Sequence, residues 1–239
     1  MTPAPITMTP ARWENTERYL REVFGREDDV LRDLHEAAAR EGLPDISVSA
    51  DVGRLLSLLV QTTGARHAVE LGTLGGYSGV WIARALRPDG RLVTVDVDAR
   101  RSAFARAWFE KAGVSARVEI VTGAALDVLP GVLKNIGSAG LDVAFFDAVK
   151  TEYLDYFRAV RDAINPGGLV IADNALGSNQ WWIDTPESAD QRAVDAFNRA
   201  VASDPDFETA CVPIRQGVLI ARRRRASQTD QRSCSTSPA

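Results

Sequence analysis

The chain has 239 residues, 45% of them hydrophobic, and a formal net charge of -4, enough for one large α/β domain or two small ones, with no bulk basic surface to draw in a phosphate backbone. Its two cysteines, Cys211 and Cys234, exclude a disulfide framework and a thiolate metal cluster, so a reducing cytoplasm is the expected setting. The opening MTPAPITMTP lacks a charged stretch followed by an apolar one, and no apolar run approaches the roughly 18 residues of a membrane span, so a soluble protein is expected.

Residues 1–11, rich in proline and threonine, are expected to be disordered. Residues 12–41 read as two helices, with Tyr19, Leu20, Val23 and Phe24, then Val30, Leu31, Leu34 and Ala38, at helical spacing. They suit a lid or a dimerisation segment. After the breaker GLPD, Val52, Leu55, Leu56 and Leu59 stripe a third helix over roughly 50–63.

Strand and helix patterns then alternate. HAVEL is a strand, followed by a helix from Tyr77 to Leu86; RLVTVD precedes a helix from Ala99 to Ala112; RVEIV precedes one from Ala125 to Lys134; LDVAFFD precedes one from Tyr153 to Ile164; GGLVIAD closes the series. A helix near 188–203 leads to FETACVPI and GVLIARR, joined by the short turn Arg215-Gln216-Gly217. The expected fold is α/β, a doubly wound, Rossmann-like, seven-stranded and mostly parallel sheet with an antiparallel edge hairpin and N-terminal helices. One domain would span 12–222. The tail 223–239 is expected to be disordered, and the arginine run from Arg222 to Arg225 reads as the solvated end of the last strand, with a nucleic-acid or acidic-lipid contact as its alternative.

Two groups of residues carry chemistry. The turn after the first strand, AVELGTLGGYSG, places Glu70, Gly72, Thr73 and Ser78 where backbone can approach a ligand closely. The second strand ends in Asp96, the position that hydrogen-bonds a ribose diol in such folds. The spacing departs from G-x-G-x-x-G, so an adenosyl cofactor other than a dinucleotide is expected. Further on, Asp147 and the pair Asp173-Asn174 end two apolar runs, at the carboxyl ends of strands where ligands bind in an open α/β sheet. Two carboxylates and an amide suit a hard cation such as Mg²⁺, and Lys150 adds a possible base. His35 and His67 have no ligand spacing around them and read as packing or surface residues.

On the segments ISVSADVGRLLSLLVQTTGARHAVELGTLGGYSGVWIARAL, VTVDVD, FFDAVKTEY, NPGGLVIADNAL and GVLIARR, the chain over about residues 15–222 resembles the cation-dependent O-methyltransferases, which include catechol and caffeoyl-CoA O-methyltransferases. The resemblance implies S-adenosyl-L-methionine as methyl donor and Mg²⁺, Mn²⁺ or Ca²⁺ as metal. It implies Asp147, Asp173 and Asn174 as metal ligands and Lys150 as catalytic base. Glu70, Gly72, Thr73, Ser78 and Asp96 match cofactor contacts, and Val48 and Ala125 match positions that contribute backbone or packing. Many relatives read Asp-Ala-Asp-Lys where this chain has Asp147-Ala148-Val149-Lys150, which removes one polar contact.

The acceptor would be a small catechol-like, phenolic or polyketide-like molecule whose neighbouring oxygens chelate the metal beside Asp147 and Lys150. The loop ALGSNQWWIDTPES departs from the family pattern. It offers Ser178 and Trp182 to the acceptor, although the Trp181-Trp182 pair suits a subunit contact equally well. A homodimer is the implied assembly. Two other readings stay open: methylation of a hydroxylated uridine in tRNA, with the arginine run on phosphate, and a catalytically silent binding module.

Overall fold

The structure, a computed structural model, describes residues 9–177 and 188–225. Its sheet contains β1 (His67–Leu71), β2 (Arg91–Asp96), β3 (Val118–Thr122), β4 (Leu141–Phe146), β5 (Ile164–Ala172), β6 (Phe207–Val212) and β7 (Val218–Arg223), in the order β3-β2-β1-β4-β5-β7-β6. The first five strands are parallel, and β7 runs antiparallel to both neighbours. The seven strands, the parallel body and the edge hairpin are those expected from the sequence. The order reverses between β1 and β4, which opens a crevice at their carboxyl ends.

Helices α1 (Pro10–Phe24), α2 (Asp29–Arg40), α3 (Ala50–Thr63), α4 (Tyr77–Ala85), α5 (Ala99–Lys111), α6 (Ala125–Ile136), α7 (Tyr153–Val160) and α8 (Ala189–Ser203) complete the chain. Successive strand residues face opposite sides, and each side has its own core. Val143, Phe145 and Ile171 pack with Leu31, Leu34, Leu56, Tyr77, Trp81 and Phe109 from α2 to α5. Ala144, Phe146 and Val170 pack with Leu129, Tyr153, Phe157 and Phe197 from α6 to α8. Burial on both faces explains why VAFF, after Asp142, and LVIA read as unbroken apolar runs.

Several boundaries differ from the sequence expectation by one to four residues, and two have a plain physical cause. Helix α7 stops at Val160, and Ile164 begins β5, opposite Leu141 across a register shift. Pro166 disfavours helical backbone at Asn165 and so ends the helical pattern early. Helix α1 starts at Pro10 rather than residue 12: Arg12 N donates to the Thr9 hydroxyl at 3.3 Å, and Pro10 suits the first helical turn. The apolar spacing of α1 is real, but the helix buries none of its residues and leaves Tyr19, Val23 and Phe24 exposed.

Candidate active site

A cavity of about 810 Å³ opens at the carboxyl ends of the parallel strands. Its walls include Val48, Gly72, Thr73, Ser78, Asp96, Ala125, Asp147, Lys150 and Asn174, residues that the sequence assigned to the cofactor, the metal and the base. They come from segments spread across the chain and meet here because parallel strands deliver their ends to one edge.

The glycine turn is fixed by contact. Gly72 has a φ of 104°, and a β-carbon on it would overlap the backbone of Asp147. Gly76, at φ 86°, passes so close to Phe109 that an added β-carbon would sit 3.0 Å from the ring. Asp96 ties this turn to β2: Leu74 N donates to its Oδ2 at 2.8 Å and Asp98 N to its Oδ1 at 2.9 Å.

Glu70 lies behind the turn and is not part of the cavity wall. The Thr94 hydroxyl donates to its Oε2 at 2.6 Å, and Thr94 in turn lies 2.6 Å from the Thr73 hydroxyl, which does line the cavity. Complete burial pushes the Glu70 carboxyl up to about 7, against the hydrogen bonds from Ser78 and Thr94, with Asp147 and Asp96 adding to the rise. Glu70 therefore connects to the cavity through two threonines.

At the end of β4, Asp147 N donates to Leu71 O at 2.8 Å, which holds the strand end against β1. Lys150 follows in a single 3₁₀ turn, Lys150–Glu152. Its Nζ donates to Asp147 Oδ1 and to the Tyr153 hydroxyl, each at 2.7 Å. The Tyr153 hydroxyl lies 3.0 Å from Phe146 O and 3.2 Å from Asp173 O, within donating reach of both. One phenol thus joins the ends of β4 and β5 and grips Lys150. Burial, followed by the charges of Asp147 and Asp173, holds its ionisation well above the usual tyrosine range, so it stays a neutral donor. Sequence reasoning missed Tyr153; its one signal was its place three residues after Lys150, on the same side of a turn.

At the end of β5, Asp173 is wholly buried. Its Oδ2 accepts from Arg215 Nη1 at 3.3 Å, while its Oδ1 has no hydrogen-bond partner among the described residues. Burial, and then Asp147, raise its ionisation against the opposing charges of Arg215 and Lys150. Asn174 follows at φ 59°, a left-handed conformation that asparagine tolerates better than most residues. Its Nδ2 donates to Gln216 Oε1 at 3.3 Å, so its side-chain oxygen is the atom it could offer to a cation. Arg215 and Gln216, both on the cavity wall, are the other residues that the sequence reading treated only as a turn.

Val149 lines the cavity with half its surface exposed. Ser178, Trp181 and Trp182 lie outside the described residues. His35 stacks on Tyr77 with ring centroids 4.3 Å apart, and His67 begins β1. Among the described residues no three His, Cys, Asp or Glu side chains gather as a metal site; the candidate set here is two carboxylates and an amide.

A family model described as O-methyltransferase matches residues 21–224. The chain belongs to the O-methyltransferase family. It is an enzyme, an S-adenosylmethionine-dependent O-methyltransferase. Among its relatives is a catechol O-methyltransferase of Niastella koreensis, 40% identical over 164 residues that cover 69% of this chain and 74% of that protein. Caffeoyl-CoA O-methyltransferase 2 of Petunia hybrida is 31% identical over 210 residues, 84% of this chain and 86% of the relative. Among solved structures, TomG of Streptomyces achromogenes, an O-methyltransferase involved in tomaymycin synthesis and in complex with SAM, superposes with a TM-score of 0.81 at 33% identity, over 92% of this chain and all of that one. An O-methyltransferase of Bacillus cereus in complex with SAH gives 0.81 at 30% identity, over 90% of this chain and 99% of that one.

Proposed function

We propose that this O-methyltransferase methylates a hydroxyl of a small catechol-like, phenolic or polyketide-like acceptor in the cytoplasm, with a divalent cation held by Asp147, Asp173 and Asn174 and with Lys150 as general base. The observation that carries the reading is the position of Lys150: its Nζ, on the cavity wall, is held at 2.7 Å by both Asp147 and Tyr153, while the buried Asp173 at the end of the next strand keeps one oxygen without a partner among the described residues. Such an oxygen is costly unless something fills the position. All three side chains offer hard oxygen donors, which fits Mg²⁺ and leaves Mn²⁺ or Ca²⁺ as substitutes. Bound there, a dication supplies Lewis-acid stabilisation of an oxyanion.

The chain's own residues do the rest. Asp96 and the Gly72–Thr73 turn, with Val48, Ser78 and Ala125, form the part of the cavity suited to the methyl donor, and Glu70 stiffens that wall from behind through Thr94 and Thr73. Lys150 takes the acceptor's hydroxyl proton, and Tyr153 keeps its Nζ at the cavity edge. Holding the reacting atoms in line can supply several kcal/mol of barrier reduction. The relatives named for catechol and caffeoyl-CoA support a phenolic acceptor.

The arginine run supports a small acceptor over a tRNA. Arg223 donates to the carbonyls of Asp162 at 3.0 Å and Ile164 at 2.5 Å, and Arg222 and Arg224 each approach Glu208 at 3.9 Å. The end of β7 also lies at the amino ends of the parallel strands, away from the cavity. No helix among the described residues is long and apolar enough to cross a membrane. A homodimer is part of the proposal, with the exposed Tyr19, Val23 and Phe24 of α1 as the surface for a second copy.

The test is an acceptor panel incubated with S-adenosylmethionine and Mg²⁺ and read by mass spectrometry. Methylation of a vicinal diphenol that stops in chelator and returns with Mg²⁺ supports the reading. Full turnover in chelator removes the metal, and donor binding by calorimetry without turnover on any acceptor revives the silent binding module.

A further inference from the structure

We propose that Arg215 is a built-in counter-cation for Asp173 whose charge competes with a divalent cation at the neighbouring carboxylate oxygen, so that this one side chain sets the cation affinity of the site. The inference rests on the metal reading above and concerns a residue that reading does not use.

Asp173 is fully buried, and a carboxylate without a counter-charge is strongly disfavoured there. Arg215 provides the charge from the turn between β6 and β7, 42 residues away in sequence. The contact is loose. Its single Nη1–Oδ2 distance is 3.3 Å, whereas well-formed guanidinium–carboxylate pairs run at about 2.7–2.9 Å and are often bidentate. A contact of this kind holds the charge without locking the side chain.

The backbone points the same way. Arg215 has a φ of 50°, in the left-handed region where glycine is the unstrained choice. The turn around it is pinned: Gly217 N donates to Ile214 O at 2.8 Å, and Leu176 N donates to Gln216 O at 2.8 Å. The strained conformation is thus imposed by the hairpin, and an arginine occupies it with its side chain on the buried carboxylate. Strain of this sort at a cavity wall motivates a functional reading.

Charge counting gives the direction of the effect. Asp147 is matched by Lys150 and Asp173 by Arg215, so the two carboxylates are already neutralised. A dication entering among them meets two positive side chains. A lysine can give up its proton, but an arginine cannot, so the charge of Arg215 on Asp173 Oδ2 opposes a cation at Oδ1 until the side chain turns away. It lines the cavity and is 24% exposed, which gives it an exit by side-chain rotation alone.

The experiment measures Mn²⁺ binding by electron paramagnetic resonance to the full chain, without methyl donor or acceptor. It compares the wild type with Arg215→Gln, Arg215→Lys and Arg215→Gly, the last chosen because glycine suits the turn and keeps it folded. The expected result is Mn²⁺ affinity raised about tenfold or more in the Gln and Gly variants and raised less in Lys, whose ammonium can lose its proton. Melting in chelator should show the Gln variant less stable than wild type, with a larger recovery on adding Mn²⁺. Equal or weaker Mn²⁺ binding in both uncharged variants overturns the role of Arg215 alone. Absence of Mn²⁺ binding in the wild type and every variant overturns the metal reading and this inference with it.

Discussion

A β-carbon on Gly72 would overlap the carbonyl oxygen of Asp147 and lie 2.7 Å from its carbonyl carbon. The glycine turn on the cavity wall and the strand end that carries the first acid are therefore in backbone contact. Gly72→Ala meets both this overlap and the unfavourable φ of 104°, and the expected destabilisation is roughly 2–4 kcal/mol. Urea unfolding and calorimetry with S-adenosylmethionine should register losses of stability and donor affinity together; an alanine variant normal in both would show that the turn tolerates displacement.

Lys150→Met should lower kcat by about 10²–10⁴ while leaving donor affinity intact, as expected when a general base is lost. Lys150→Arg should not restore activity, because a guanidinium does not give up its proton. Rapid-quench kinetics checks both. Retention of wild-type kcat in the methionine variant would assign proton removal elsewhere.

Tyr153→Phe keeps the ring and removes the hydroxyl that grips Lys150. The expected outcome is a drop in kcat of about tenfold, with KM for the acceptor nearly unchanged, because orientation rather than binding is lost. A rise in KM at constant kcat would instead give Tyr153 a part in binding the acceptor.

Glu70 makes stability depend on pH. Its folded value of about 7 lies above the 4.5 of an unburied glutamate, so between these values the folded protein holds more protons than the unfolded one. Stability contributed by the neutral carboxyl is present below about 4.5 and is lost as pH rises toward about 7, on the order of 3 kcal/mol in all. Glu70→Gln should flatten that part of the profile. Parallel unfolding curves for the two proteins between pH 5 and pH 8 would mean that Glu70 is already ionised when folded.

Asp173→Asn removes one of the two carboxylates and the partner of Arg215. Turnover in saturating Mg²⁺ should fall at least about a hundredfold, and Mn²⁺ should no longer raise the melting temperature. Persistence of the Mn²⁺ effect in this variant would place the cation on other ligands.

Much of the fold could be read from the sequence because a doubly wound sheet leaves a plain mark. Strands covered on both faces become apolar runs such as Val143–Phe146 and Leu169–Ala172, and the acid that ends each of these two falls at the ligand-binding edge. That logic points to Asp147, Asp173 and Asn174 as candidates, and the structure sets all three at the carboxyl ends of β4 and β5. Tyr153 escaped it because a buried tyrosine at the start of a helix looks like core, and only its hydroxyl contacts reveal another role. Arg215 escaped because its partner is Asp173, and no local pattern encodes a contact of that span. The end of α7 was misjudged because periodicity favours continuation, whereas Pro166 imposes a stop through backbone sterics.

The hairpin that closes the sheet also separates two kinds of change. Parallel strands are bound into the central ladder, so altering their ends disturbs the packing of both cores. Arg215 and Gln216 instead sit on a turn at the margin, brought to the cavity only because β7 runs against its neighbour β5. Exchanging these two residues rewrites one wall of the site without moving a parallel strand. The acids at the strand ends and the two residues of this turn therefore answer to different parts of the fold.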